Sequence, residues 1–220
     1  MIKKLHNWSE AHLPALILLT LLTLLPGRLR AADGDTFSYT YEGQTLKYAI
    51  ISEAEKTVSI YSPRGSVSGQ LILPSVVSYN GDNYTLTSIG EDAFFACNSL
   101  ISIEIPNSVT SIGISAFSHC SSLTSVTIPN SVTSIGIYAF HDCSGLTSVT
   151  LGSGVETIGD YAFYYTDLTG IEIPASVNLI GYCAFGNCSS LNDFKIADGT
   201  AQLEITNYCC PIKLFEVIKD

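Results

Sequence analysis

Hydrophobic and polar positions along the chain follow two rhythms, one short and one long. In Leu123–Ile128, Val126 and Ile128 alternate with Ser125 and Thr127, the period-two signature of a strand with one wet face. Pro129 cannot donate to a ladder and ends that strand. Val132 and Ile135 then turn inward on the return side, and Gly136 supplies either a bend with positive φ or a close backbone approach. Ala139 and Phe140 fill the core from a short helical or 3₁₀ turn, because about six residues before Cys143 leave no room for a helix of ordinary length.

The long rhythm repeats this unit. The nine letters IPNSVTSIG stand at 105–113 and again at 128–136. The pair Ile-Gly falls at Ile89, Ile112, Ile135, Ile158 and Ile180, in steps of 23, 23, 23 and 22. Phe94, Phe117, Phe140, Phe163 and Phe185 follow at one offset, and Cys97, Cys120, Cys143 and Cys188 at another, with Thr166 in the fourth copy. Leu100, Leu123, Leu146, Leu168 and Leu191 come next; the fourth copy is one residue short between Thr166 and Leu168. A period of this length marks a solenoid, in which no unit closes a core alone and each apolar face needs a neighbour. The predicted fold is mainly β: one strand per turn in a parallel sheet, with residues 32–68 as a β-rich N-terminal cap, 69–196 as the repeats and 197–220 as a C-terminal cap or incomplete repeat. Within the cap, FSYTYEG and LKYAIISEAEKTVSIYS read as two or three antiparallel strands. Leu71 and Leu73 face inward in a first strand, and Asn80-Gly81 marks a hairpin.

The pattern Leu-x-x-[Ile/Val]-x-[Ile/Leu]-Pro followed by Val-x-x-Ile-Gly-x-x-Ala-Phe-x-x-Cys resembles the 23-residue leucine-rich repeat of the bacterial BspA-like (Treponema pallidum type) family. The resemblance covers residues 69–196. It implies a surface or secreted protein of a host-associated bacterium, of a kind that often serves in adhesion.

Charge and the N-terminus sharpen the picture. Lys3 and Lys4 precede an apolar run, Leu13–Leu25, which is too short for an ordinary membrane span, and Ala31 or Ala32 offers a cleavage site. Residues 1–31 read as a secretory signal peptide, with an uncleaved anchor as the alternative. They carry four cations against one carboxylate, which leaves six basic and 19 acidic residues in the remainder. No Lys or Arg occurs between Arg64 and Lys195. Phosphate binding needs cations, so the repeats are expected to bind neither nucleic acid nor anionic lipid, and no membrane insertion is expected after cleavage. The recurring cysteines read as small buried hydrophobes rather than bridges between turns; a bridge from Cys183 to Cys209 or Cys210 stays open.

No catalytic constellation emerges, and no metal or cofactor is expected. His119 aligns with Asp142 one turn on, and the two read as a polar pair at the surface rather than half a metal site. Glu104 and Glu172 share a column three turns apart, about 14 Å by strand spacing, too far for a glycosidase pair. Two surfaces remain as binding candidates. One is the outward strand face, with Glu104, Thr127, Thr150, Glu172 and Lys195 in a column; its alternative is a merely solvated sheet. The other lies near the Ala-Phe turns, where Tyr138, Tyr161, Tyr164, Tyr165 and Tyr182 gather. Exposed tyrosines bring large area with a polar tip, but they also suit ring-on-ring packing that stiffens the return side. The function expected is non-catalytic binding to a host or matrix protein or a glycan, or else a structural spacer of a surface assembly. An unfinished C-terminal edge would favour edge-to-edge self-association.

Overall fold

A computed structural model describes residues 31–61, 65–199 and 203–205. The expected signal peptide, apart from Ala31, and Cys209 and Cys210 lie outside the described residues. Every described strand belongs to one compact unit, Ala32–Asp220.

The unit opens with β1 (Thr36–Tyr41), β2 (Gln44–Ser52) and β3 (Thr57–Ile60), joined antiparallel in that order. Glu42 and Gly43 at φ 48° and 76° make the tight turn between the first two. Then come β4 (Ser68–Ile72), β5 (Val76–Tyr79) and β6 (Asp82–Ile89). The last two form the hairpin foreseen at Asn80-Gly81, where both turn residues take positive φ, as a type I′ turn requires.

From there each coil contributes two strands. They are β7 (Ser99–Glu104) and β8 (Ser111–Ile112), β9 (Ser125–Thr127) and β10 (Ser134–Ile135), β11 (Ser148–Thr150) and β12 (Thr157–Ile158). β13 (Gly170–Ile173) and β14 (Leu179–Ile180), then β15 (Asp193–Ile196) and β16 (Glu204–Ile205), complete the series. The longer strands form one parallel sheet, β4-β7-β9-β11-β13-β15. In-register pairs such as Ser125 with Ser148 and Val126 with Val149 carry the repeat from coil to coil. The two-residue strands form a second parallel sheet on the return side, which the sequence pattern does not predict. β1, β2 and β3 extend this second sheet, because β3 pairs with β6, so they cover its first edge. That edge is thereby blunted against pairing with another chain.

The repeated glycine serves close approach and not positive φ. A Cβ on Gly136 would lie 2.6 Å from the carbonyl carbon of Gly113, and one on Gly113 2.7 Å from that of Gly90. Positive φ falls elsewhere, on two non-glycine residues per coil. Asp92, Ser115, Tyr138, Tyr161 and Cys183 sit at 50–58°, and Ala96, His119, Asp142, Tyr165 and Asn187 at 56–63°. In the eight that precede the last pair, Cys183 and Asn187, amide bonds to the next coil explain why this otherwise disfavoured conformation persists. Ser115 N–H donates to Ile137 O at 2.9 Å and His119 N–H to His141 O at 2.8 Å, while Phe117 N–H between them reaches Ala139 O at 2.7 Å. Alternate amides therefore bond along the coil axis. The intervening ones, such as Ser118 N–H to Ser115 O at 3.0 Å, close three-residue turns of 3₁₀ type. With every second donor committed to the next coil, the turn cannot propagate a helix, and none occurs among the described residues.

The core is a set of identical columns. Phe94, Phe117, Phe140, Phe163 and Phe185 stack with centroids 5.0–5.3 Å apart and planes within 11°. Cys97, Cys120, Cys143 and Cys188 are free and buried. Cys120 and Cys143 donate S–H bonds to Phe94 O and Phe117 O, at 3.1 and 3.0 Å, in the preceding coil. Burial raises the pKa of Cys97, Cys143 and Cys188, which keeps these thiols protonated. Thr166 substitutes in the fourth coil by donating to Phe163 O at 2.9 Å. Cys183, off this column, is disulfide-bonded.

Candidate binding surfaces

The turn side carries a continuous run of rings. Its basis is local: the left-handed residues Tyr138 and Tyr161 are pinned by N–H bonds to Asp160 O at 2.9 Å and Tyr182 O at 2.8 Å. Their rings then stack on each other, centroids 5.1 Å apart and planes 9° apart. Tyr161 meets Tyr182 and Tyr164 edge-on at 5.3 Å. His141 stacks on Tyr164 at 5.3 Å and 4°, and meets Tyr138 and His119 edge-on. Phe95 meets His119 edge-on at 5.3 Å. The tyrosines foreseen as a group are thus brought together, with one exception. Tyr165, the most exposed of them at 53%, has no ring partner among the described residues. Tyr138 and Tyr161 turn faces on each other, as the packing reading expects.

The pair foreseen between His119 and Asp142 is present, Nδ1 to Oδ2 at 2.8 Å, and lies at the surface. Burial among the rings, with His119 adding to it, lowers the pKa of His141; Asp142 opposes the shift. Among the described residues no three His, Cys, Asp or Glu side chains gather as a metal site would require.

On the strand face, Glu104, Thr127, Thr150, Glu172 and Lys195 are all exposed. Thr127 pairs with Thr150 and Glu172 with Lys195 in the sheet register. Lys195 Nζ donates to Asp193 Oδ2 at 2.9 Å within its own strand, which holds its pKa up. Val149, Thr150, Leu151, Glu172 and Pro174 line a shallow groove of about 330 Å³. A second depression, of about 220 Å³, lies on the turn side between Ser144 and Ser189. Sequence reasoning did not single it out, although the one-residue deletion at Asp167 was its signal.

No helix among the described residues is long and apolar enough to cross a membrane. A family model, the BspA type leucine rich repeat region, matches residues 77–209 in six copies. That is one copy more than the five Ile-Gly recurrences, and β15 with β16 supplies strands for it. Among solved structures, the chain is similar to a leucine-rich repeat protein of Bacteroides ovatus (30% identity, TM-score 0.64), over 78% of this chain and 50% of that one. The chain therefore spans half the length of that relative. It shares its fold with the T. pallidum leucine rich repeat protein (21% identity, TM-score 0.62, 79% of this chain and 92% of that one). The same holds for the pneumococcal vaccine antigen PcpA (16% identity, TM-score 0.57, 77% and 51%). No curated protein matches the sequence.

Proposed function

The chain belongs to the BspA-type leucine-rich-repeat family, and from that premise we propose that it is an exported, cell-surface or secreted protein that acts by non-catalytic binding of a host or matrix protein or a glycan. Repeats of this family are generally binding modules, and their proteins are typically surface or secreted. The observation that carries the reading is the run of rings on the turn side. Tyr138 and Tyr182 in that run, and Tyr165 outside it, are exposed by 38, 37 and 53% on coils whose strand face offers mainly hydroxyls and carboxylates. Tyrosine is among the residue types that anchor interfaces at low entropic cost.

The test is a binding screen of the full chain against matrix proteins and glycans, followed by the triple substitution Tyr138→Ala, Tyr161→Ala, Tyr165→Ala. A binding role predicts at least a roughly ten-fold weaker Kd with the coil still folded by circular dichroism. A ligand that maps to Glu104 and Glu172 would move the site to the strand face and overturn the turn-side assignment. The stacking of Tyr138 on Tyr161 favours a second reading, a stiff spacer within a surface assembly; a screen without any ligand would support it.

A further inference from the structure

The fourth coil breaks the repeat at one point. Between the column residue and the next leucine, its neighbours have two residues, Ser144-Gly145 and Ser189-Ser190, whereas the fourth coil has only Asp167. The chain is shorter by one residue there, and the two flanking coils lie two coil spacings, or roughly 10 Å, apart. The depression is lined by Ser144, Tyr165, Thr166, Asp167, Asn187 and Ser189, residues of all three coils.

We propose that this notch binds one neutral sugar ring of a glycan. The assignment rests on the reading of the chain as a binding module and names a site and ligand class for it. Size is the first argument. About 220 Å³ falls below the roughly 300–1,000 Å³ of pockets that engulf a whole small molecule, so one ring enters and the rest of a glycan stays in solvent.

Chemistry is the second. Tyr165 lacks a ring partner among the described residues while its backbone is pinned by the bond from its N–H to Gly186 O at 2.9 Å. Its ring, 53% exposed, therefore offers an apolar face for the C–H side of a sugar. Asn187 donates through Nδ2 to Tyr164 Oη at 2.6 Å, which orients the amide and leaves Oδ1 to accept from a hydroxyl. Asp167 accepts from Ser190 Oγ through Oδ1 and keeps Oδ2. Ser144 and Ser189 add hydroxyls. The floor is closed by Thr166, 4% exposed and bonded inward.

Charge is the third argument. Asp167 lies in the notch, and the sequence has no Lys or Arg between Arg64 and Lys195, so an anionic sugar is repelled without compensation.

The experiment is amide chemical-shift titration of the full chain with glucose, galactose, mannose and N-acetylglucosamine, and with N-acetylneuraminic acid as the anionic comparison. Shifts are expected at Tyr165–Leu168 and Asn187–Ser190 for at least one neutral sugar, with Kd on the order of 1–10 mM. The anionic sugar should bind at least about ten-fold more weakly. Insertion of one glycine after Asp167 restores the spacing of the neighbouring coils and should abolish the shifts. Should that variant fail to fold, Tyr165→Ala and Asn187→Ala decide. Ala96 occupies the same left-handed position in the first coil, so alanine suits the backbone, and each should weaken binding by roughly five-fold or more. Neutral sugars that leave these amides unmoved up to about 50 mM, or binding that survives the substitutions, would overturn the notch. Shifts at Thr150 and Glu172 instead would overturn it while leaving the binding-module reading in place. No ligand of any kind in the broad screen would remove both.

Discussion

Two columns of rings run side by side in this molecule at nearly the same spacing. Inside, Phe117 and Phe140 stack at 5.0 Å; outside, Tyr138 and Tyr161 stack at 5.1 Å. The coil pitch imposes that distance on both, because any residue at a fixed offset meets its copy one strand spacing away. Burial separates them. The phenylalanines are at most 1% exposed, whereas Tyr138 is 38% exposed. The inner column removes whole side chains from water, and the outer one gains only pairwise ring contact. Stacked aromatics in a solenoid are thus not evidence of equal stabilisation, and the outer column can be altered for recognition at small cost to the fold.

The comparison breaks most sharply at Phe140. Phe140→Ala should destabilise the chain by about 3–5 kcal/mol, read as the shift of the denaturation midpoint, since neighbours in a close-packed column relax only partly. Tyr138→Ala, on the same coil in the outer column, should cost about 0.5–1.5 kcal/mol. Equal losses would show that the two columns do the same work and would refute the distinction.

The smallest expected effect is on pH. The unfolded chain protonates His141 near its ordinary value, and the folded chain lowers that pKa. The unfolded state therefore binds the proton more tightly, so this contribution is fully present above about pH 6.5 and declines as pH falls from there toward the folded pKa. His119, Asp142, Tyr138 and Tyr164 are the titratable groups around it. His141→Phe keeps a ring and removes the proton site. Its midpoint should fall less than that of the parent between about pH 7.5 and 5.5, and an unchanged slope would assign the pH dependence elsewhere.

Much of the fold is legible in the sequence because each coil restates the same offsets. Once Ile-Gly and Ala-Phe recur every 23 residues, the in-register column of Phe94 to Phe185 and the pairing of Thr127 with Thr150 follow from arithmetic. The second sheet is not legible. Ser111–Ile112 and its copies are two residues long, and a two-residue strand has no alternation to detect. Nor is the notch, whose signal is a single missing residue that reads as a lapse in spacing until three coils are set side by side.

The sequence by itself determined the period, the identity of the inward residues and the absence of cations over the repeats, because these are properties of position and type along one chain. Tertiary structure decided which backbone positions turn left-handed and which tyrosine keeps a bare face. Tyr138 and Tyr165 adopt positive φ because their amides find carbonyls about one coil away, partners that no local preference encodes. The physical reason is that hydrogen bonds between coils join residues about 22 apart, and only the stacked solenoid brings them within reach.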